Sequence, residues 1–168
     1  MMDKETKIKS FAAGDIQSWN GIPENFREDD LIELFGTVVE TTNAELGYYP
    51  AKRILLADAT GLRKLVAFLR DGVVILVESL VMPDAAVLEQ LPVPDAVLPP
   101  EMLLPGAHPN EYIYCNRGLN LTVAKYADER IPDRIVRCRG VRQLGSSREF
   151  DARYYRAFED QIVYSGGI

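Results

Sequence analysis

Residues 83–127 read PDAAVLEQLPVPDAVLPPEMLLPGAHPNEYIYCNRGLNLTVAKYA. Asp84 follows a proline and precedes a short apolar stripe, Val87, Leu88 and Leu91, so it predicts the N-cap of a short helix. Proline cannot donate a backbone hydrogen bond and clashes with a preceding helical turn. The six prolines between positions 83 and 105 therefore predict an irregular crossing loop after this helix.

The second part of this stretch predicts a β-hairpin. Apolar side chains recur at every second position in 112–114 and in 119–123, which is the period of strands with one buried face. Between them, Asn116-Arg117-Gly118 predicts a three-residue turn, because Gly118 tolerates a positive φ. Residues 134–143 supply the third strand candidate of this half.

The same order of elements occurs earlier in the chain. Acidic residues 28–30 open a predicted helix that Gly36 ends. Strand candidates follow at 52–59, 62–69 and 73–80, and Asp71-Gly72 between the last two is a strong hairpin signal. Residues 37–42 are a further strand candidate, and 43–50 are expected to form a loop.

These patterns predict an α+β fold in one domain, 1–168, with pseudo-repeat halves at about 15–82 and 83–164. Each half contributes a helix and a three-stranded meander, which gives an antiparallel sheet of about six strands. A last helix over 148–160 brings the expected number to about three helices. We expect 1–14 to be a loosely docked tail and Trp19 to anchor the segment after it to the core.

The helix ends also resemble a known architecture. Residues 30–36, DLIELFG, close the first helix with a Leu-x-x-Leu/Phe-Gly pattern, and 87–92, VLEQLP, close the second with proline in place of glycine. Such a helix followed by a meander, present twice, resembles β-lactamase-inhibitor-protein-like modules in tandem. The SmpA/OmlA outer-membrane assembly lipoproteins look like one such module. The resemblance implies the helix-plus-meander fold and carries over no functional residue.

Composition narrows the classes of function. The formal net charge is −6, which argues against nucleic-acid binding, because that needs clustered cations to displace counterions from phosphates. The arginines of 134–148 are expected on the solvated face of a strand. The apolar runs are too short to span a bilayer, and the first residues lack the apolar core of a secretory signal, so we expect a cytoplasmic protein.

Catalytic and metal chemistry have weak support. His108 is the only histidine, and its spacing from Cys115 and Cys138 matches no zinc motif. A Cys115–His108 nucleophile pair is the sharpest enzymatic hypothesis, but Cys115 borders a hairpin turn, where nothing lowers a thiol pKa. We therefore predict two inert buried thiols, no catalytic residues, no metal and no cofactor.

Two hypotheses for function remain. The first is a non-enzymatic protein-binding module of inhibitor, immunity or chaperone type, which binds another protein of basic charge through an open sheet face. Its candidate partner-binding residues are Tyr48, Tyr49, Tyr112, Tyr114 and Arg117. The second is a small ligand-binding domain or enzyme with a pocket under the Pro-rich loop 92–109. That pocket would be lined by Met102, His108, Tyr112 and Cys115.

Overall fold

Apolar residues at alternate positions assemble into one eight-stranded antiparallel sheet, as seen in a computed structural model that describes residues 3–46, 49–99 and 104–145. The strands are β1 Thr37–Leu46, β2 Tyr49–Ala57, β3 Lys64–Arg70, β4 Val73–Ser79, β5 Ala96–Leu98, β6 Ala107–Tyr114, β7 Leu119–Tyr126 and β8 Arg134–Gly140. The helices are α1 Lys4–Ala12 and α2 Glu28–Leu34, with 3₁₀ turns at Ala85–Glu89 and Cys115–Arg117. The order across the sheet is β1-β2-β3-β4-β8-β7-β6-β5.

The α+β class and the antiparallel sheet are confirmed, but the predicted numbers are wrong. The described residues contain eight strands and two α-helices, not six strands and three helices. The predicted helix over 148–160 lies outside the described residues. Each half contributes four strands, and β4 pairs with β8 where the halves meet. The internal repeat itself stays a prediction.

The first strand pair is longer than the sequence indicates. The predicted loop at 43–50 is wrong, because β1 runs to Leu46, which pairs with Tyr49 at the start of β2. Ala44 and Leu46 both pack against an apolar cluster on one side of the sheet, which holds these residues in the strand. Most other side chains of β1 are exposed, so the alternation of apolar and polar residues that marks a strand is weak there.

The N-terminal segment is a helix and not a loose tail. The carboxylate of Asp3 accepts a hydrogen bond from the Thr6 backbone N–H at 2.8 Å and so caps α1. Ile8, Phe11 and Ala12 recur at i, i+3 and i+4 and are buried. This helical spacing is present in the sequence, and the prediction of a loose tail did not take it into account.

The helices cover one side of the sheet, which we call the front face. Residues of α1, α2 and the 16–26 segment pack there on Leu56, Leu65 and Leu121. Trp19 is 1% exposed, which confirms the expected anchor. Its Nε1 donates a hydrogen bond to the carbonyl of Gly118 at 2.9 Å, so the 16–26 segment is tied directly to the β6–β7 turn.

The opposite side, the back face, holds a second apolar cluster and a buried polar network. Leu76 and Ile113 are fully buried in the cluster. Beside them, the Glu111 carboxylate accepts hydrogen bonds from the Thr122 hydroxyl at 2.7 and 2.8 Å and from the Asn120 amide at 3.2 Å. This network fixes the register between β6 and β7, because a buried carboxylate needs its donors opposite it.

Two arginines of β8 are largely buried and pair with carboxylates, so the prediction that they lie on a solvated face is wrong. Arg137 Nη2 is 3.2 Å from Glu111 Oε1, and Arg139 Nε is 3.5 Å from Glu78 Oε2. The side chains of Arg137 and Arg139 are only 13% and 8% exposed. Each arginine is paired with a carboxylate, Arg139 with Glu78 on the adjacent β4 and Arg137 with Glu111 on β6, on the far side of β7. The pairing lowers the cost of removing these charges from water.

Candidate functional site

The outer side of β1 is an accessible strand edge. It is the first strand in the sheet order, and within the ranges 3–46, 49–99 and 104–145 no strand pairs with its outer side. Residues 39–43 are all exposed, and Val39 retains 56% of its surface. The strand contains no proline or lysine, and the β-bulge between Val38 and Glu40 leaves 40–46 as its regular edge. The β1 edge is therefore ready to accept another strand.

The opposite end of the sheet shows the usual protection. β5 spans three residues, Ala96–Leu98, and prolines 94 and 99 lie on either side of it. A short strand between prolines offers few unpaired backbone groups. The two edges of one sheet therefore differ in their capacity to bind a further strand.

The orientation of the β1 backbone follows from Pro50 on β2. Pro50 has no N–H, and its carbonyl accepts a hydrogen bond from Arg70 Nε of β3 at 3.4 Å. Pro50 pairs with Glu45, so this pair does not exchange hydrogen bonds and Glu45 turns its backbone outward. Because the pattern alternates, Asn43 and Thr41 also direct their N–H and C=O groups away from β2.

A groove lies beside this edge, where β2 begins. We call it the Tyr49 groove; it has a volume of about 530 Å³ and is lined by Glu28, Asn43, Tyr49, Pro50, Ala51, Lys52, Leu69, Arg70, Asp71 and Gly72. Tyr49 is 57% exposed, and the Arg70 guanidinium carbon lies 5.3 Å from the centroid of its ring. This stacking holds the phenol ring in place while one side of it meets solvent.

Charged and backbone contacts fix the walls of the groove. Lys52 Nζ lies 2.8 Å from the Glu28 carboxylate, which ties β2 to the first turn of α2. Arg70 Nη2 donates to the carbonyl of Leu46, so the same guanidinium that stacks on Tyr49 also holds the end of β1. Asn43 of β1 lines the groove, so the groove and the β1 edge adjoin each other.

Of the five predicted partner-binding residues, the structure exposes Tyr49. Tyr48 lies outside the described residues. Tyr112 and Tyr114 point to the front face, where Tyr112 packs against the core and Tyr114 is 3% exposed inside it. Arg117 Nη2 donates to the carbonyls of Ile16 and Gln17 at 3.0 and 2.7 Å, a structural role. We therefore leave Tyr112, Tyr114 and Arg117 out of the candidate surface.

The residues of the predicted pocket under the Pro-rich loop are not brought together. His108 is exposed near the start of β6, whereas Cys115 is buried just beyond its end. Seven residues of extended strand separate them by about 20 Å, which rules out the Cys115–His108 pair. Tyr112 packs on the front face, while Cys115 belongs to the back-face cluster. Met102 lies outside the described residues.

The surroundings of the buried Cys138 thiol disfavour the nucleophilic thiolate form. Burial raises its pKa, and the Glu78 carboxylate nearby raises it further. In the described part of the chain, no group of three or more His, Cys, Asp or Glu residues is placed to hold a metal ion. Among the same residues, no helix has the length and apolar character needed to cross a bilayer.

Comparison of the chain with protein-family models, with curated proteins and with solved structures finds no match. The resemblance to β-lactamase-inhibitor-protein-like modules therefore stays a prediction, and the function rests on the geometry of the site alone.

The sequence hypothesis missed the residues that build this surface. Thr41, Asn43 and Arg70 carry no motif, because their role comes from strand position and not from side-chain chemistry. One signal was available: 37–46 contain no proline, lysine or arginine, whereas prolines 94 and 99 lie on either side of the strand at the opposite end of the sheet. Such a strand lacks these protective residues if it lies at an edge, but composition alone does not separate β1 from the central strand β4, which also lacks them.

Proposed function

We propose that this protein is a non-enzymatic binding module that recognises another protein through the β1 edge and the Tyr49 groove. The observation that carries the proposal is the exposed outer side of β1, which is regular and free of proline and lysine over 40–46. An extended segment of the partner adds to this edge as a ninth strand, with backbone hydrogen bonds supplying affinity.

Specificity comes from the groove. A side chain of the docked segment enters beside Tyr49, whose ring presents a large contact area at low cost in conformational entropy. Tyrosine and arginine are both enriched among the residues that dominate binding energy, and here Arg70 stacks on Tyr49. The groove thus distinguishes segments that share the same backbone geometry.

Charge favours a basic partner. The chain has a net charge of −6, and β1 contains Glu40 and Glu45 but no lysine or arginine. Opposite charge on the docked segment accelerates encounter at low salt and disfavours acidic competitors. Association should therefore slow as ionic strength rises.

The test is affinity capture from native cell extract with quantitative mass spectrometry, using matched variants at one position. Thr41→Pro removes an outward N–H and adds a ring on the docking side, whereas Thr41→Val keeps the N–H and the strand propensity. We expect Thr41→Val to capture the partner like the wild type and Thr41→Pro to capture roughly tenfold less.

A second variant tests the groove. Tyr49→Ala should reduce capture of the same protein by about tenfold, because it truncates an exposed aromatic contact without altering the core. A partner that binds Thr41→Pro and Tyr49→Ala as tightly as the wild type docks elsewhere, and the proposal is then wrong.

A further inference from the structure

A second cavity lies at the indole of Trp19. It has a volume of about 470 Å³, within the roughly 300–1,000 Å³ typical of small-molecule sites. Its lining is Lys4, Lys7, Ile8, Trp19, Asn20, Gly21, Ile22, Pro23, Glu24, Arg142 and Gln143. It shares no residue with the Tyr49 groove.

Close backbone contacts preform this cavity. The Ile22 N–H donates to the Val141 carbonyl at 2.9 Å, and the Val141 N–H donates to the Gly118 carbonyl at 2.7 Å. Gly21 adopts φ +109°, and a β-carbon there would press on the Gln143 backbone. The 16–24 segment is thus held against the chain that follows β8, and the cavity forms between them and α1.

The cavity combines an apolar floor with a cationic rim. Ile8, Trp19 and Ile22 are each at most 5% exposed and form the floor. The polar lining includes three cations, Lys4, Lys7 and Arg142, against a single carboxylate, Glu24. An excess of positive charge at one cavity stands out in a chain whose net charge is −6.

The cations are available to a ligand. Lys7 Nζ donates to the Asn20 amide oxygen at 3.0 Å, which leaves two of its three N–H donors for other acceptors. Lys4 and Arg142 form no ion pair with any residue in the described ranges. Arginine and lysine beside an apolar surface bind carboxylate or phosphate groups more strongly than they do in open water.

We propose that the Trp19 cavity binds a small organic anion, with its apolar body beside Ile22 and Pro23 and its carboxylate or phosphate against Lys7 and Arg142. This site is distinct from the protein-binding surface and does not depend on it. Carboxylate and phosphate share the recognition chemistry, so the probes below include one of each.

Trp19 is the only tryptophan, so its indole N–H gives a single NMR resonance that reports directly on the floor of the cavity. Titration of the full chain with benzoate, with phenyl phosphate and with the neutral analogue benzyl alcohol measures binding. We expect a saturable shift of the Trp19 resonance with at least one anion, and binding at least about tenfold weaker for benzyl alcohol.

Charge-removing variants locate the anionic group. Arg142→Gln and Lys7→Gln should each weaken anion binding by about tenfold, while Lys64→Gln, an exposed control on β3, should leave it unchanged. The remaining amide resonances show whether each variant keeps the fold. The proposal is wrong if neither anion produces a saturable shift, if benzyl alcohol binds as tightly as the anions, or if both folded variants bind like the wild type.

Discussion

Trp19 lies so close to Gly140 that a β-carbon at position 140 would overlap the six-membered ring of the indole. Gly140 is the last residue of β8, and the ring covers it on the front face. The same indole donates a hydrogen bond to Gly118 and packs 4.5 Å, centroid to centroid, from the Phe11 ring. One aromatic side chain therefore joins α1, the 16–26 segment, the β6–β7 turn and the end of β8.

The first prediction concerns this contact. Gly140→Ala should lower the free energy of unfolding by about 1–3 kcal/mol, because the added methyl group overpacks a filled site. Urea denaturation measures the loss. In a Trp19→Phe background the smaller ring leaves room, so Gly140→Ala should cost less there. Equal costs in both backgrounds would contradict the contact.

The second prediction concerns the buried carboxylate on the back face. Glu111 is fully buried and accepts from Thr122, Asn120 and Arg137. Glu111→Leu should destabilise the protein by roughly 3 kcal/mol, because it leaves the Arg137 charge without its buried carboxylate. Glu129→Leu, at an exposed position, serves as the control and should change stability by less than about 0.5 kcal/mol. Similar urea midpoints for the two variants would show that the network contributes little.

The third prediction concerns alkaline pH. Burial, with a smaller contribution from Tyr112, raises the pKa of Tyr114 to about 12. An unfolded tyrosine has a pKa of about 10, so the unfolded chain releases this proton first as pH rises. The contribution of Tyr114 to stability is therefore complete below about pH 10 and is lost as pH rises towards 12.

Tyr114→Phe separates this effect from general alkaline unfolding. Between pH 10 and 11.5 the free energy of unfolding of the wild type should fall more steeply than that of Tyr114→Phe, by up to about 1.4 kcal/mol per pH unit. Chemical denaturation at fixed pH values measures both slopes. Parallel slopes would mean that Tyr114 titrates in the folded protein as it does in the unfolded chain.

The fourth prediction concerns the thiols. Cys115 is 6% exposed and Cys138 is fully buried, and burial raises the pKa of the Cys138 thiol. Both should react with maleimide at least about 100-fold more slowly in the native protein than in urea, since burial keeps the reagent away from both sulfur atoms. Mass spectrometry of quenched samples counts the labelled sites. Native labelling at the rate of a model thiol would contradict their burial.

Local signals predicted the parts of the fold that depend on near neighbours. Asp71-Gly72 forms the β3–β4 turn, with positive φ at both residues, and Gly118 takes φ +54° after the turn at Cys115–Arg117. Asp84 caps the 3₁₀ turn at Ala85–Glu89 by accepting from the Ala86 N–H. Each of these features is determined within a few residues of sequence.

The remainder depends on contacts between distant parts of the chain. Arg137 and Arg139 pair with Glu111 of β6 and Glu78 of β4, strands that are distant from β8 in sequence, so no local pattern contains these pairs. The sequence predicted only the first part of β1, because its exposed side chains depart from the apolar alternation that marks a strand. The binding edge could not be predicted either, because a strand becomes an edge only through the order of the whole sheet.

Backbone amide exchange along β1 tests the central claim most directly, since that claim is that the outer edge is open and accepts a strand from a partner. In the free protein, the amides of Thr41 and Asn43 should exchange at nearly the rate of an unstructured chain, while those of Thr42 and Ala44, which face β2, are protected. On addition of the captured partner, Thr41 and Asn43 should become protected by at least about tenfold. If these two amides are already as protected as Thr42 and Ala44 in the free protein, or remain unprotected in the complex, the β1 edge is not the binding site.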